Sequence, residues 1–188
     1  MARARSPEKR SAILRAAARE IAQAGVGAST AQIAKGAGLA EGTLFTYFAT
    51  KDILLNELYI ELKSEVYRRI QAKFPHQAGL RERARHVWTE SLRWAMEKPE
   101  ERKASLQLSV SERITAATRE RISAERGAVM QTIDEISERG AFKTLPAGFA
   151  ATAMAAMQEA VIEASAKQRR QKEMLIEQGF DAFWRMVK

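Results

Sequence analysis

The stretch Ser29-Thr-Ala-Gln-Ile-Ala-Lys-Gly-Ala-Gly-Leu-Ala-Glu-Gly-Thr-Leu-Phe-Thr-Tyr-Phe-Ala-Thr-Lys-Asp-Ile-Leu54 decides how this chain folds. Gln32 follows Ser29 by three residues, and Ser-x-x-Gln is a pattern that satisfies the free amides opening a helix. A helix is therefore expected from about Thr30 to Gly36. Gly38 then allows the left-handed backbone that a tight turn requires. A second short helix follows over Ala40–Tyr47. Thr50-Lys51-Asp52 reads as a cap and acidic first turn for a longer helix ending near Lys73. Ile33, Ala34, Ala37, Leu39, Leu44 and Phe48 supply a small core. Ala40, Glu41, Gly42, Thr43, Phe45, Thr46 and Tyr47 are left more exposed. Helix, glycine turn and short helix together make a helix-turn-helix. In that motif the first helix crosses the phosphate backbone and the second enters the major groove of DNA.

The flanking sequence is helical on both sides. Ile13, Ala17, Ile21 and Ala24 give an apolar face to a helix that starts near Pro7 and ends at Gly25-Val26-Gly27. Beyond Phe74-Pro75, helices are expected near residues 79–97, 100–110, 112–138, 147–167 and 170–187. They are separated at Pro99, the Gly140 region, Pro146 and the charged Lys167–Lys172 stretch. No segment alternates polar with β-branched residues, so the fold class is all-α. The division expected is a helix-turn-helix domain over residues 1–50 and a larger helical bundle over 51–188.

Composition narrows the function classes. The chain has 188 residues, 31 Lys+Arg, 23 Asp+Glu, two His and no Cys, for a net charge of +8. Disulfides, thiolate metal sites and a cysteine nucleophile are excluded. His76 and His86 stand ten apart, out of phase on a helix, so no metal centre is expected. No Walker loop, His-Glu-x-x-His or Gly-x-Ser-x-Gly occurs, which argues against an enzyme and gives no sign of a cofactor. No apolar run reaches membrane-spanning length and no secretory signal is read at the N-terminus, so a cytoplasmic protein is expected. Residues 1–51 hold eight basic and three acidic side chains, whereas the remainder holds 23 basic and 20 acidic. The positive excess is thus concentrated in the first 51 residues, the region of the short helices, where a nucleic acid would bind. Arg3 to Arg10 form a basic tail, read either as a solubilising end or as a minor-groove arm.

The pattern Ile-Ala…Ala-Gly-Leu…Gly-Thr-Leu-aromatic…Tyr-Phe…Lys-Asp…Leu resembles the tetracycline-repressor (TetR) family of bacterial transcription regulators. The likeness covers residues 8–58 closely; the remaining two-thirds agrees in length and helical character. The resemblance implies that Ser29 and Thr30 reach phosphate through a hydroxyl or amide. It also implies that Thr43 and Tyr47 bond phosphate or base edges, and that Lys51 pairs with phosphate. Thr46 matches either contact. Phe45 stands where the family often has Tyr and offers apolar contact, for example to a thymine methyl. Ala40 replaces a common Ser or Thr cap. Glu41 replaces a common Lys; near DNA it either repels phosphate or accepts from a cytosine amino group.

For residues 51–188 the resemblance implies an effector pocket within the bundle and a dimer built from the last two helices. Trp88, Trp94, Gln107, Met130, Phe142 and Met157 are the pocket candidates, with a largely apolar effector. Ala153, Met157, Ala160, Val161, Leu175, Gln178, Ala182 and Phe183 are the dimer candidates. The expected function is a ligand-responsive dimeric regulator, a repressor released from a palindromic operator. An architectural or partner-bound helix-turn-helix protein without an effector is the alternative.

Overall fold

The computed structural model describes residues 6–188. Among them are ten α-helices and no strand: α1 (Pro7–Ala24), α2 (Thr30–Gly36), α3 (Glu41–Tyr47), α4 (Lys51–Gln71), α5 (Leu80–Glu97), α6 (Pro99–Ser109), α7 (Ala116–Glu125), α8 (Gly127–Ser137), α9 (Phe149–Lys167) and α10 (Lys172–Arg185). Two short 3-10 turns, Gly140–Thr144 and Arg169–Gln171, precede α9 and α10. No helix among the described residues is long and apolar enough to cross a membrane.

The all-α expectation holds, with one correction to the helix boundaries. The segment 112–138 is two helices and not one, because Gly127 takes a positive φ of 36° that an α-helix does not pass through. The 3-10 turn at Gly140–Thr144 also escapes a reading by 3.6-residue period, since it is too short to show one.

The described residues form two compact units: 6–65 with 98–124, and 66–97 with 125–188. Residues 6–50 lie wholly in the first unit. In that unit α1 packs on α2 and α6. Ala16, Ala17, Ala18 and Ala22 are buried beside Ile13, Leu14 and Ile21, and such small side chains let helix axes approach closely. Ile33, Ala34, Leu44 and Phe48 close the core beneath α2 and α3, while Ala37 and Leu39 stay half-buried.

The second unit is built around Trp88 of α5, which has no exposed surface. Its indole N–H donates to the Ile176 carbonyl at 2.9 Å, so the ring is buried without an unpaired donor. Phe183 stacks on it at 5.9 Å and Phe180 tilts against it at 6.1 Å. Gly179 lets α10 approach both α5 and α9. A Cβ there would lie 2.5 Å from Val161 Cγ2 and 3.0 Å from Trp88 Cζ2. Arg83 holds Glu135 by two hydrogen bonds at 2.8 and 2.6 Å, and Arg69 bridges Glu90 and Glu97 at 2.9 and 2.5 Å.

Candidate nucleic-acid interface

Local chemistry fixes the ends of the short helices. The Ser29 hydroxyl accepts from the Gln32 amide at 3.1 Å and caps α2. The turn passes through Gly38 at φ 70°, a conformation that side-chain-bearing residues rarely adopt. The Leu39 amide then donates to the Ala34 carbonyl at 2.9 Å, which seals the end of α2. Ala40 occupies the cap position of α3 with no side-chain hydrogen bond, so the amides opening this helix have no side-chain acceptor there. Thr50 caps α4 by accepting from the Ile53 amide at 3.1 Å.

The DNA-contact candidates divide by exposure. Ser29, Ala40, Glu41, Gly42, Phe45 and Thr46 are exposed, and Thr30, Thr43, Tyr47 and Lys51 are half-buried. Phe45 leaves 41% of its surface open. The Thr46 hydroxyl donates back to the Thr43 carbonyl at 2.6 Å. Lys51 opens α4, and partial burial, with the nearby Arg113 charge, pulls its ammonium pKa below the usual lysine value while Asp52 opposes the shift. An ammonium held short of full hydration gains more from an anion than a solvated one.

Several contacts in this unit join residues far apart in the sequence. The Ser6 amide donates to the Tyr47 hydroxyl at 3.0 Å, tying the start of α1 to the last residue of α3. The Thr30 hydroxyl donates to Glu41 Oε1 at 2.5 Å, joining α2 to α3. Asn56 of α4 donates from Nδ2 to the Asp52 and Arg113 carbonyls at 2.8 and 2.9 Å. Its Oδ1 accepts from the Thr115 amide at 3.0 Å. Arg113 also reaches Asp52 at 2.7 Å. These partners stand 41, 11 and 57 to 61 residues apart, or across a helix turn, and no local pattern reports the distant ones.

The basic tail divides. Arg3 and Arg5 lie outside the described residues. Arg10 pairs with Glu57 at 2.5 Å and places its guanidinium 5.7 Å from the Phe48 ring centre, so its charge serves the fold. Lys9, Arg15, Arg19 and Lys35 are exposed.

The effector and dimer candidates scatter. Gln107 belongs to the first unit and the other five pocket candidates to the second. Trp88 and Phe142 are buried among aromatic rings. Met157 is half-buried against the same cluster. Met130 is half-buried with the Arg126 guanidinium at its sulfur. Trp94 is 4% exposed and its indole nitrogen has no hydrogen-bond partner; Gln107 Oε1 has none either. Of the dimer candidates, Ala160, Gln178 and Ala182 are exposed, and Ala153, Met157 and Leu175 are half-buried. Phe183 and Val161 are enclosed by their own unit, because they pack on Trp88 and against Gly179, and neither offers a free face. Exposed Phe149 and Met174 on the same two helices are apolar groups missing from that set.

Comparison with known proteins agrees with this geometry. Residues 13–58 match the family described as bacterial regulatory proteins, tetR family. A structure assigned to that family of transcription regulators, from Shewanella sp. PV-4, is 27% identical, with 96% of this chain and 97% of that chain covered and a TM-score of 0.78. A TetR-family transcription regulator from Marinobacter aquaeolei VT8 is 26% identical, with 96% and 95% covered and a TM-score of 0.84. The regulator FadR from Bacillus subtilis, solved in complex with stearoyl-CoA, shares the fold at 20% identity, with 95% and 97% covered and a TM-score of 0.67.

Proposed function

We propose that this chain, whose residues 13–58 match the tetR family and whose fold is similar to that of transcription regulators assigned to it, is a homodimeric repressor that an effector releases from a palindromic operator. The observation that carries this reading is the outward face of α3, polar and aromatic, over a core that fixes α2 against α3. Residues 1–50 are the DNA-binding domain and 51–188 the effector-binding and dimerisation domain. Ser29, Thr30, Thr43, Thr46, Tyr47 and Lys51 bind phosphate or base edges, with Ala40, Glu41, Gly42 and Phe45 presented to the groove.

A dimer follows from the symmetry of such operators, with recognition helices about 34–36 Å apart in successive grooves. The exposed small residues Ala160 and Ala182, with Gln178, Phe149 and Met174, favour α9 and α10 as its interface. The stearoyl-CoA bound by the Bacillus subtilis protein supports a largely apolar effector. Effector binding in the larger domain would shift α4, on which Lys51 rides. An effector acts in this way only if it binds the released state more tightly.

Selection of random duplexes on the full chain, repeated with Thr43→Ala/Tyr47→Ala, tests the reading. A palindromic motif that the double variant loses is the expected result. A motif that survives in the double variant removes α3 from the interface. Sedimentation at micromolar concentration tests the dimer, which a monomer would overturn.

A further inference from the structure

Glu41 is the one carboxylate between residues 21 and 51. It is exposed at the first residue of α3, on the face assigned above to DNA. A negative charge on that face is repelled by phosphate unless it meets a donor. Among the described residues its partner is the Thr30 hydroxyl, which donates to Oε1 at 2.5 Å. That bond runs from α2 to α3, so the carboxylate is held by both helices of the motif and loses little rotamer freedom on binding. One oxygen is engaged, and the other keeps its lone pairs for a second donor.

The major groove presents two amino donors, N4 of cytosine and N6 of adenine. Adenine places its N7 acceptor beside N6, and an acceptor-only carboxylate is repelled there. Cytosine places no acceptor beside N4. We propose that Glu41, braced by Thr30, accepts a hydrogen bond from a cytosine amino group in each half-site and so fixes one base of the operator. This rests on the DNA-binding reading above.

The test is three parallel selections of random duplexes on the full chain: unaltered, Glu41→Gln and Thr30→Val. Titrations follow on the enriched duplex and on one with a single base pair replaced in both half-sites. The unaltered protein should enrich cytosine at one symmetric pair of positions, and replacing that cytosine should weaken binding about tenfold per half-site. Glu41→Gln should move that position toward adenine, whose N6 and N7 suit an amide, and leave the rest of the motif intact. Thr30→Val removes the brace and should weaken the cytosine preference, with an overall loss of affinity on all sequences where its hydroxyl also met phosphate. A Glu41→Gln motif identical to the original, with affinity raised evenly on all sequences, would overturn the proposal and leave Glu41 a simple charge brake. Absence of any motif in all three proteins would overturn the DNA-binding reading itself, an outcome distinct from the first.

Discussion

The α3 helix and the core around Trp88 use their aromatic rings in opposite ways. On α3, Phe45 is 41% exposed and Tyr47 half-buried, and neither ring is needed to fill a core. Around α5, Trp88, Phe180 and Phe183 are at most 1% exposed, with Phe183 stacked on Trp88 and Phe180 tilted against it. One region displays its chemistry and the other consumes it in packing. Substitutions should therefore be read as binding changes in the first and as stability changes in the second.

The widest gap is expected between two phenylalanines. Phe183→Ala should cost about 3–5 kcal/mol of unfolding free energy, and Phe45→Ala no more than about 0.5 kcal/mol. Equal urea midpoints for the two variants would erase the distinction. Gly179→Ala follows, since its new Cβ meets Val161 and Trp88 within 3.0 Å. About 1–3 kcal/mol should be lost, visible as a lower thermal midpoint, and an unshifted midpoint would mean that the helices part freely. Ala40→Ser acts in the opposite direction on the displaying side. It supplies the missing cap of α3 and should raise stability by about 1 kcal/mol, measured by denaturant unfolding. Lys51→Ala should leave stability nearly unchanged and reduce the salt dependence of DNA binding by about one ion; an unchanged slope removes Lys51 from the phosphate contacts.

The smallest effect expected is one of pH. Hydrogen bonding to Arg83 lowers the Glu135 carboxyl below its ordinary 4.5, although partial burial opposes the shift. A carboxyl depressed in the folded state adds stability that is complete above its unfolded value and disappears as pH falls through its folded value. Urea midpoints should thus fall below about pH 4.5, and Glu135→Gln should flatten that fall while lowering the midpoint at neutral pH. An unchanged acid limb in the variant would place the sensitivity on other carboxyls, Glu97 beside Arg69 among them.

How much the sequence discloses follows the same division. Ser29, Gly38 and Thr50 mark helix ends by local chemistry, and the structure places the ends there. Ile33, Leu44 and Phe48 were legible as core because a helix-turn-helix leaves few places for apolar groups. The second unit was legible as helices but not as partners. An apolar period says that a face is covered, never what covers it, so Phe183 fits a free interface as well as the ring of Trp88. Small residues on α9 carry the same ambiguity. The brace between Thr30 and Glu41 depends on how α2 and α3 cross, which no spacing encodes.

The clasp at Asn56 has a chemical lifetime. Its amide nitrogen faces two carbonyl oxygens and its oxygen faces a backbone amide, so it fits its surroundings as a peptide group would. Hydrolysis of that side chain to aspartate replaces the donor with an acceptor and sets oxygen against oxygen at both carbonyls. Asparagine undergoes this change without a catalyst, faster with heat. A sample aged in warm buffer should accumulate a more acidic species on ion exchange, and in that species the α4 joint to residues 111–115 is broken from within.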